Sequence, residues 1–212
     1  MGRGMAGTYT SKPHLGRLGM ANMDKVSLRA EAMRRRDALA ERERRSAAIC
    51  ERVAALPVYA AARAIHCYLS MRSEVDMRPL IAGALTAGKR VVVPVVVPRA
   101  AELSHAWLDS LDAGALVPGS FGTFNPRALR LAAPGDWDLT IVPLLAFDRR
   151  GYRLGYGKGF YDRLLAASQA PAVGVAFAAQ EVAALPVEPH DVALAWIATE
   201  DEVIRTSATG SG

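Results

Sequence analysis

From Asp24 to Leu56 the chain is rich in Ala, Arg, Glu and Leu, with no proline or glycine before Pro57, a composition that favours helix. Leu28, Ile49, Val53 and Leu56 can face a core, while the charged residues between them mostly point to solvent. This pattern predicts two helices, broken near Leu39–Ser46. Beyond Pro57 the period changes. Short apolar runs at Ala64–Leu69, Arg90–Val97, Leu139–Leu145 and Ala172–Phe177 have the length of buried strands. Shorter strands are expected at Ser104–Leu108 and Trp196–Thr199. Helices are expected at Arg78–Ala87, ended by Gly88, and from about Gly159 onward. Strands alternating with helices predict an α/β fold, a mostly parallel sheet flanked by helices. Ligands of such sheets sit beyond the carboxyl ends of the strands, so the loop after Leu139–Leu145 is well placed for function.

Composition narrows the class. Hydrophobic residues make up 51% of the 212 and charged residues 22%, as in an ordinary globular protein with a real core. The longest aliphatic run, Val91–Val97, is too short to cross a bilayer, and no membrane partner is expected. The N-terminus has no apolar stretch with a small-residue cleavage site, and Ala6 breaks the myristoylation pattern. The two cysteines, Cys50 and Cys67, are far apart and outside any CxxC pair, which fits a reducing, cytoplasmic location. The formal charge of +5 is concentrated in residues 1–23, where Arg3, Lys12 and Arg17 stand without a single acid. Residues 1–23 are therefore expected to be a disordered basic extension, 24–205 one domain, and 206–212 a flexible tail. The remainder is nearly neutral. The arginines of Arg29–Arg45 are interrupted by Glu31, Asp37, Glu41 and Glu43, which reads as a solvated helix, and no nucleic-acid partner is expected.

The chemistry is concentrated in Arg153, Leu154, Gly155, Tyr156, Gly157, Lys158, Gly159, Phe160, Tyr161 and Asp162. Three alternating glycines let the backbone turn sharply and bring N–H groups close to an anion. The helix that follows adds its N-terminus, and Arg153 and Lys158 add positive charge. Asp162 beside a polyphosphate is repulsive unless a cation lies between them, which suggests Mg²⁺; the alternative is that Asp162 merely favours the helix dipole. A dinucleotide fingerprint would need glycine where Phe160 stands, and a Walker A loop would need Ser or Thr where Gly159 stands. This is a phosphate loop of another type.

RLGYGKGFYDR at Arg153–Arg163, preceded by VPLLAFDRRG, resembles the signature of the 5-formyltetrahydrofolate cyclo-ligase family. Lys25–Arg29 resembles the family's KxxLR, Leu69–Val75 its LSMxxE segment, and Leu185–Asp191 its LPxExHD motif. Four motifs occur in the family's order, over roughly Asp24 to Ile204. The resemblance implies a sandwich related to ribose-5-phosphate isomerase and the CoA-transferases. It implies ATP and 5-formyltetrahydrofolate as substrates, Mg²⁺ as cofactor, and a monomer. It also implies roles. Lys25, Arg29 and Lys158 would be catalytic; Lys25, Arg29 and Arg153 through Tyr161 would bind ATP. Leu69, Glu74 and Tyr156 through Phe160 would bind the folate, and Asp162 and Asp191 the metal.

The chain departs from the family at three places. Ala195 stands where an acid is usual, Gly122–Pro126 replaces a segment resembling GIPEP, and Tyr156 occupies a position where some members have Arg. His66 and His105 lie in strand patterns without ligand partners and are expected to be structural, and the two cysteines to be buried small residues.

Overall fold

The computed structural model describes residues 24–97, 102–188 and 191–206. It opens with helices α1 (Lys25–Asp37) and α2 (Arg42–Ala54) and the short α3 (Pro57–Ala61). Asp24 starts α1: its carboxylate accepts the Ser27 N–H at 2.7 Å, satisfying one of the donors a helix start leaves open. The break between α1 and α2 falls at residues 38–41, where Glu41 turns left-handed at φ 55°. Leu28, Ile49, Val53 and Leu56 are all buried, as their pattern predicts.

The rest runs β1 (Ala64–His66), α4 (Arg78–Thr86), β2 (Arg90–Val95), β3 (Ser104–Leu108), β4 (Leu116–Pro118), β5 (Phe124–Pro126) and β6 (Leu131–Ala132). It continues with β7 (Leu139–Pro143), β8 (Ala146–Phe147), β9 (Arg153–Leu154), α5 (Phe160–Ala167), β10 (Ala172–Val175), β11 (Trp196–Ala198) and β12 (Val203–Arg205). Eight strands form one sheet in the order β12-β11-β10-β7-β1-β2-β3-β6. The block from β11 to β2 is parallel, and β12, β3 and β6 join antiparallel at the margins. The mostly parallel α/β sheet is borne out.

Alternate residues of each strand feed different layers. Ile65, Val91, Val93, Ile141 and Val173 pack with α2, α3 and α4 on one face. Ala64, Val92 and Trp137 pack with Leu164 of α5 on the other. The chain builds outward from β1 to β2, then returns to lay β7 on the opposite side of β1. The point between β1 and β7 is therefore a topological switch, the crevice where open α/β sheets hold ligands. The segments leaving β1 and β7 there are the ones that carry Glu74 and the glycine loop.

β1 is shorter than the apolar run predicts. The Cys67 N–H still donates to the Val92 carbonyl of β2 at 2.9 Å, and beyond it side chains fold the segment back on itself. The Tyr68 hydroxyl and Ser70 Oγ both donate to the Val75 carbonyl, at 2.9 and 2.8 Å. At the far end, Thr206 is buried and its hydroxyl donates to the Leu194 carbonyl at 2.5 Å. The expected N-terminal extension and residues 207–212 lie outside the described residues. No helix among the described residues is long and apolar enough to cross a membrane.

Candidate active site

The glycine loop hangs between two anchors. On its near side, the β8–β9 hairpin is held by Asp148, a fully buried carboxylate. Asp148 accepts from the Arg150 guanidinium at 2.7 Å and from the backbone N–H groups of Arg150 and Leu185 at 3.0 and 2.9 Å. On its far side α5 begins at Phe160. Gly157 (φ +87°) and Gly159 (φ +65°) take the left-handed turn that lets the loop fold back. Gly155 does not, and a side chain there would meet nothing within 4 Å.

α1 delivers the KxxLR residues to this loop. Arg29 Nε donates to the Gly155 carbonyl at 2.9 Å, and a Cβ on Gly157 would lie 3.0 Å from the Arg29 guanidinium carbon. One turn earlier, Lys25 Nζ pairs with Glu188 at 3.0 Å and Asp191 at 3.2 Å. Burial opposes the Lys25 charge, but the hydrogen bonds from these two carboxylates outweigh it and raise its pKa. The C-terminal motif is thus brought to α1; His190 lies outside the described residues.

Arg153 connects the remaining charges. Its guanidinium, only 6% exposed, pairs with Asp162 at 2.5 Å and donates to the Val192 carbonyl at 2.6 Å. Burial pulls its pKa down, and the fields of Asp162 and Asp191 pull it back up. Both expected metal carboxylates therefore bear on one buried cation, although they come from different segments. Lys158 is exposed at the loop tip, and its carbonyl accepts from Arg163 at 2.9 Å. Leu154 faces inward with Leu28 and Ala32 of α1, so it supports the loop from behind. Tyr161 also turns inward: its hydroxyl is buried with no hydrogen-bond partner in the protein. It stands in the first turn of α5, directly after the loop.

Glu74 sits on the other side of the loop, 8% exposed. One carboxylate oxygen accepts the Met71 N–H at 3.0 Å, the other the Tyr156 hydroxyl at 3.0 Å. Burial raises its pKa; the Met71 N–H, Arg36, the Tyr156 hydroxyl and Arg72 oppose the rise. Leu69 is half-buried against the main core, next to this segment. Arg36 is the residue the sequence reading missed. Among arginines that mostly face water, it is 2% exposed, because it continues the stripe Leu28–Ala32–Arg36 at a spacing of four. Its only sequence signal is that spacing.

Beside Phe160 a cavity of about 280 Å³ opens between α5 and the sheet margin at Ser104, His105 and Leu131. A larger hollow of about 360 Å³ lies near Trp107 and Pro126, away from every expected site residue, and nothing in its lining suggests the chemistry. His66 and His105 face each other within the sheet, His66 Nε2 to His105 Nδ1 at 3.1 Å, with Trp137 against both rings. Cys50 and Cys67 are buried, and burial pushes the Cys50 thiol to about 11. Neither is activated as a nucleophile.

Residues 21–200 match the 5-formyltetrahydrofolate cyclo-ligase family. The 5-formyltetrahydrofolate cyclo-ligase of Escherichia coli K12 is 36% identical over 157 residues, 72% of this chain and 86% of that protein. That of Mus musculus is 31% identical over 196 residues, 85% of this chain and 95% of that protein. The NMR structure of Aquifex aeolicus 5,10-methenyltetrahydrofolate synthetase superposes with a TM-score of 0.76 at 33% identity, covering 90% of this chain and 96% of that one. The chain belongs to the 5-formyltetrahydrofolate cyclo-ligase family.

Proposed function

We propose that the chain converts 5-formyltetrahydrofolate and ATP to 5,10-methenyltetrahydrofolate, ADP and phosphate at the β1/β7 switch point. The observation that carries this reading is that one loop, Gly155–Gly159, lies between a phosphate-type half-site and a separate buried carboxylate. Lys25, Arg29 and Arg153 stand on one side, and Glu74, touched by Tyr156 of the same loop, on the other. A reaction that joins a triphosphate to a second, neutral-faced substrate needs such an arrangement.

The chemistry explains the division. N10 must attack the formyl carbon on N5 and expel its oxygen, but oxide is a very poor leaving group. Transfer of the γ-phosphoryl to that oxygen first makes it leave as phosphate. Phosphoryl transfer needs alignment and charge neutralisation more than covalent help. Lys25, Arg29 and Lys158 would orient the phosphates together with Arg153, the backbone N–H groups of the glycine turn and the start of α5. Phe160 would form the floor between the substrates, and the cavity beside it offers room for an elongated ligand. The pteridine ring presents adjacent N–H donors; an ionised Glu74 has lone pairs left to accept them after Met71 and Tyr156 are served.

Asp162 and Asp191 fit a divalent metal. They are hard oxygen donors on different segments, and both bear on Arg153, a cation already at that place. Mg²⁺ held there would offset phosphate charge: one like-charge pair at ~4 Å costs about 4 kcal/mol at an effective dielectric of 20. We further propose that the chain works as a cytoplasmic monomer. The test is to supply ATP, Mg²⁺ and 5-formyltetrahydrofolate and follow methenyltetrahydrofolate by its absorbance. ATP hydrolysis without methenyl product would overturn the reading and leave a relative acting on another substrate.

A further inference from the structure

We propose that Arg36 is a positioning residue of the folate half-site, which sets the Glu74 carboxylate through the hydroxyl of Tyr156. The inference rests on the assignment of Glu74 to the folate. Arg36 Nη2 donates to the Tyr156 hydroxyl at 2.8 Å, and that hydroxyl donates to Glu74 Oε1 at 3.0 Å. Arg36 Nε donates to Ser73 Oγ at 3.0 Å, one residue before Glu74, and Ser73 in turn bonds Asp37. One guanidinium thus ties α1, the segment after β1 and the glycine loop together.

Physical chemistry fixes the direction of this chain. Guanidinium is a donor only, so the phenol oxygen must accept from Arg36. The single phenol proton is then left for the one acceptor it touches, the Glu74 carboxylate. Tyr156 so conveys part of a buried positive charge to Glu74 without placing a cation in the site. Burying a charge is unfavourable by several kcal/mol unless it is well paired. An apolar residue would fill the Leu28–Ala32–Arg36 stripe without that penalty. The neighbouring Arg34 and Arg35 show the ordinary alternative, both paired with Glu31 on the helix exterior.

The groups facing Glu74 set what removal of Arg36 does. They are Arg36 from α1, Arg72 and the Met71 N–H from its own segment, Tyr156 from the loop, Tyr68 from the end of β1 and Tyr161 from α5. Burial already raises Glu74, and Arg36 is one of the few forces holding it down. Without it, Glu74 takes up its proton at higher pH. Folate affinity, present above the Glu74 pKa, is then lost earlier as pH falls.

The experiment measures folate KM, ATP KM and Tm for Arg36→Met, Arg36→Lys, Tyr156→Phe, Glu74→Gln and the double variant Arg36→Met/Glu74→Gln. Profiles run upward from the ordinary glutamate value of about 4.3 through neutral pH, the direction in which burial moves this carboxyl. Arg36→Met is expected to raise folate KM on the order of tenfold, as loss of a charge-assisted hydrogen bond does. Its KM inflection moves to higher pH, ATP KM stays within about twofold, and Arg36→Lys restores part of the loss. Tyr156→Phe moves folate KM in the same direction, and decides the matter if Arg36→Met does not fold. In the Glu74→Gln background, Arg36→Met adds less than about twofold. If Glu74→Gln leaves folate KM unchanged, the assignment of Glu74 itself has failed. If Glu74→Gln acts but Arg36→Met and Tyr156→Phe lower only Tm, or act as strongly without Glu74, the role of Arg36 is overturned.

Discussion

At the scale of single residues, the candidate site is a set of charges that neutralise one another before any ligand arrives. Lys25 leans on Glu188 and Asp191, and Arg153 on Asp162. An incoming triphosphate would draw the cations and repel the carboxylates, and this conflict is what a divalent cation would resolve. Asp162 is the discriminating position. If it only pairs with the buried Arg153 and supports the helix start, Asp162→Asn should lower stability by removing that counter-charge while leaving the Mg²⁺ requirement unchanged. If it is a metal ligand, Asp162→Asn should need more Mg²⁺ for the same rate, with ATP affinity following the metal. Titrating Mg²⁺ against both proteins separates the cases; superimposed curves would remove Asp162 from the metal site. Residue types and spacing made Lys25, Arg29, Lys158, Asp162 and Asp191 legible. The ion pairs that join them were not, because each links segments far apart in the chain.

At the scale of elements, the glycine triplet divides into unlike members. Gly157 combines a left-handed φ with a close approach of Arg29, so alanine there is both strained and crowded. Left-handed backbone costs a non-glycine residue about 1–2 kcal/mol. Gly155 has neither constraint. Gly157→Ala should therefore raise ATP KM severalfold by displacing Arg29, while Gly155→Ala should do markedly less; equal effects would mean the glycines matter only for loop flexibility. The hairpin before the loop makes a separate forecast. Asp148→Ala leaves the backbone N–H groups of Arg150 and Leu185 without their acceptor, and a buried donor left unsatisfied costs about 1–3 kcal/mol. Thermal or urea unfolding should show that loss, and an unchanged midpoint would contradict it. The β8–β9 hairpin had no readable pattern: its strands are two residues each, too short for a period to register, and a single buried carboxylate holds the turn. Helix α1 was legible by its composition, but Arg36 was not, since a charged residue on a core stripe looks like a surface residue until its partners are known.

At the scale of the whole molecule, the parallel block of the sheet follows from the alternation of apolar runs with helices, whereas the antiparallel margins do not. β3 reads like any other short strand, β12 lies beyond the last strand expected at Trp196–Thr199, and each is separated from its neighbour by too few residues for the crossover a parallel pair needs. The same sheet carries a pH liability that the alternating pattern only hinted at by placing histidines in strands. His66 is fully buried, and burial, with His105 beside it, lowers its pKa to about 3; burial lowers His105 as well. In the 3.1 Å contact one ring must donate and the other accept, so protonating both would set two N–H groups against each other. Unfolded histidines titrate near about 6.5. Below that pH the unfolded chain gains protons that the folded sheet refuses, so stability is full above about 6.5 and falls toward a limiting slope of roughly 1.4 kcal/mol per pH unit for His66, with His105 adding in the same direction. The lowered carboxylates Asp24, Glu31 and Asp138 contribute in the same sense, but only below their ordinary range near about 4. Glu74, raised by burial, acts in the opposite sense and partly masks the slope. Between about pH 5 and 6.5 the histidines therefore dominate. Urea midpoints across that interval should fall for the wild type and fall less steeply for His66→Leu, which removes the titrating ring while keeping an apolar side chain under Trp137. Parallel slopes for the two proteins would show that the buried pair takes up its protons without strain, and that the acid sensitivity lies elsewhere.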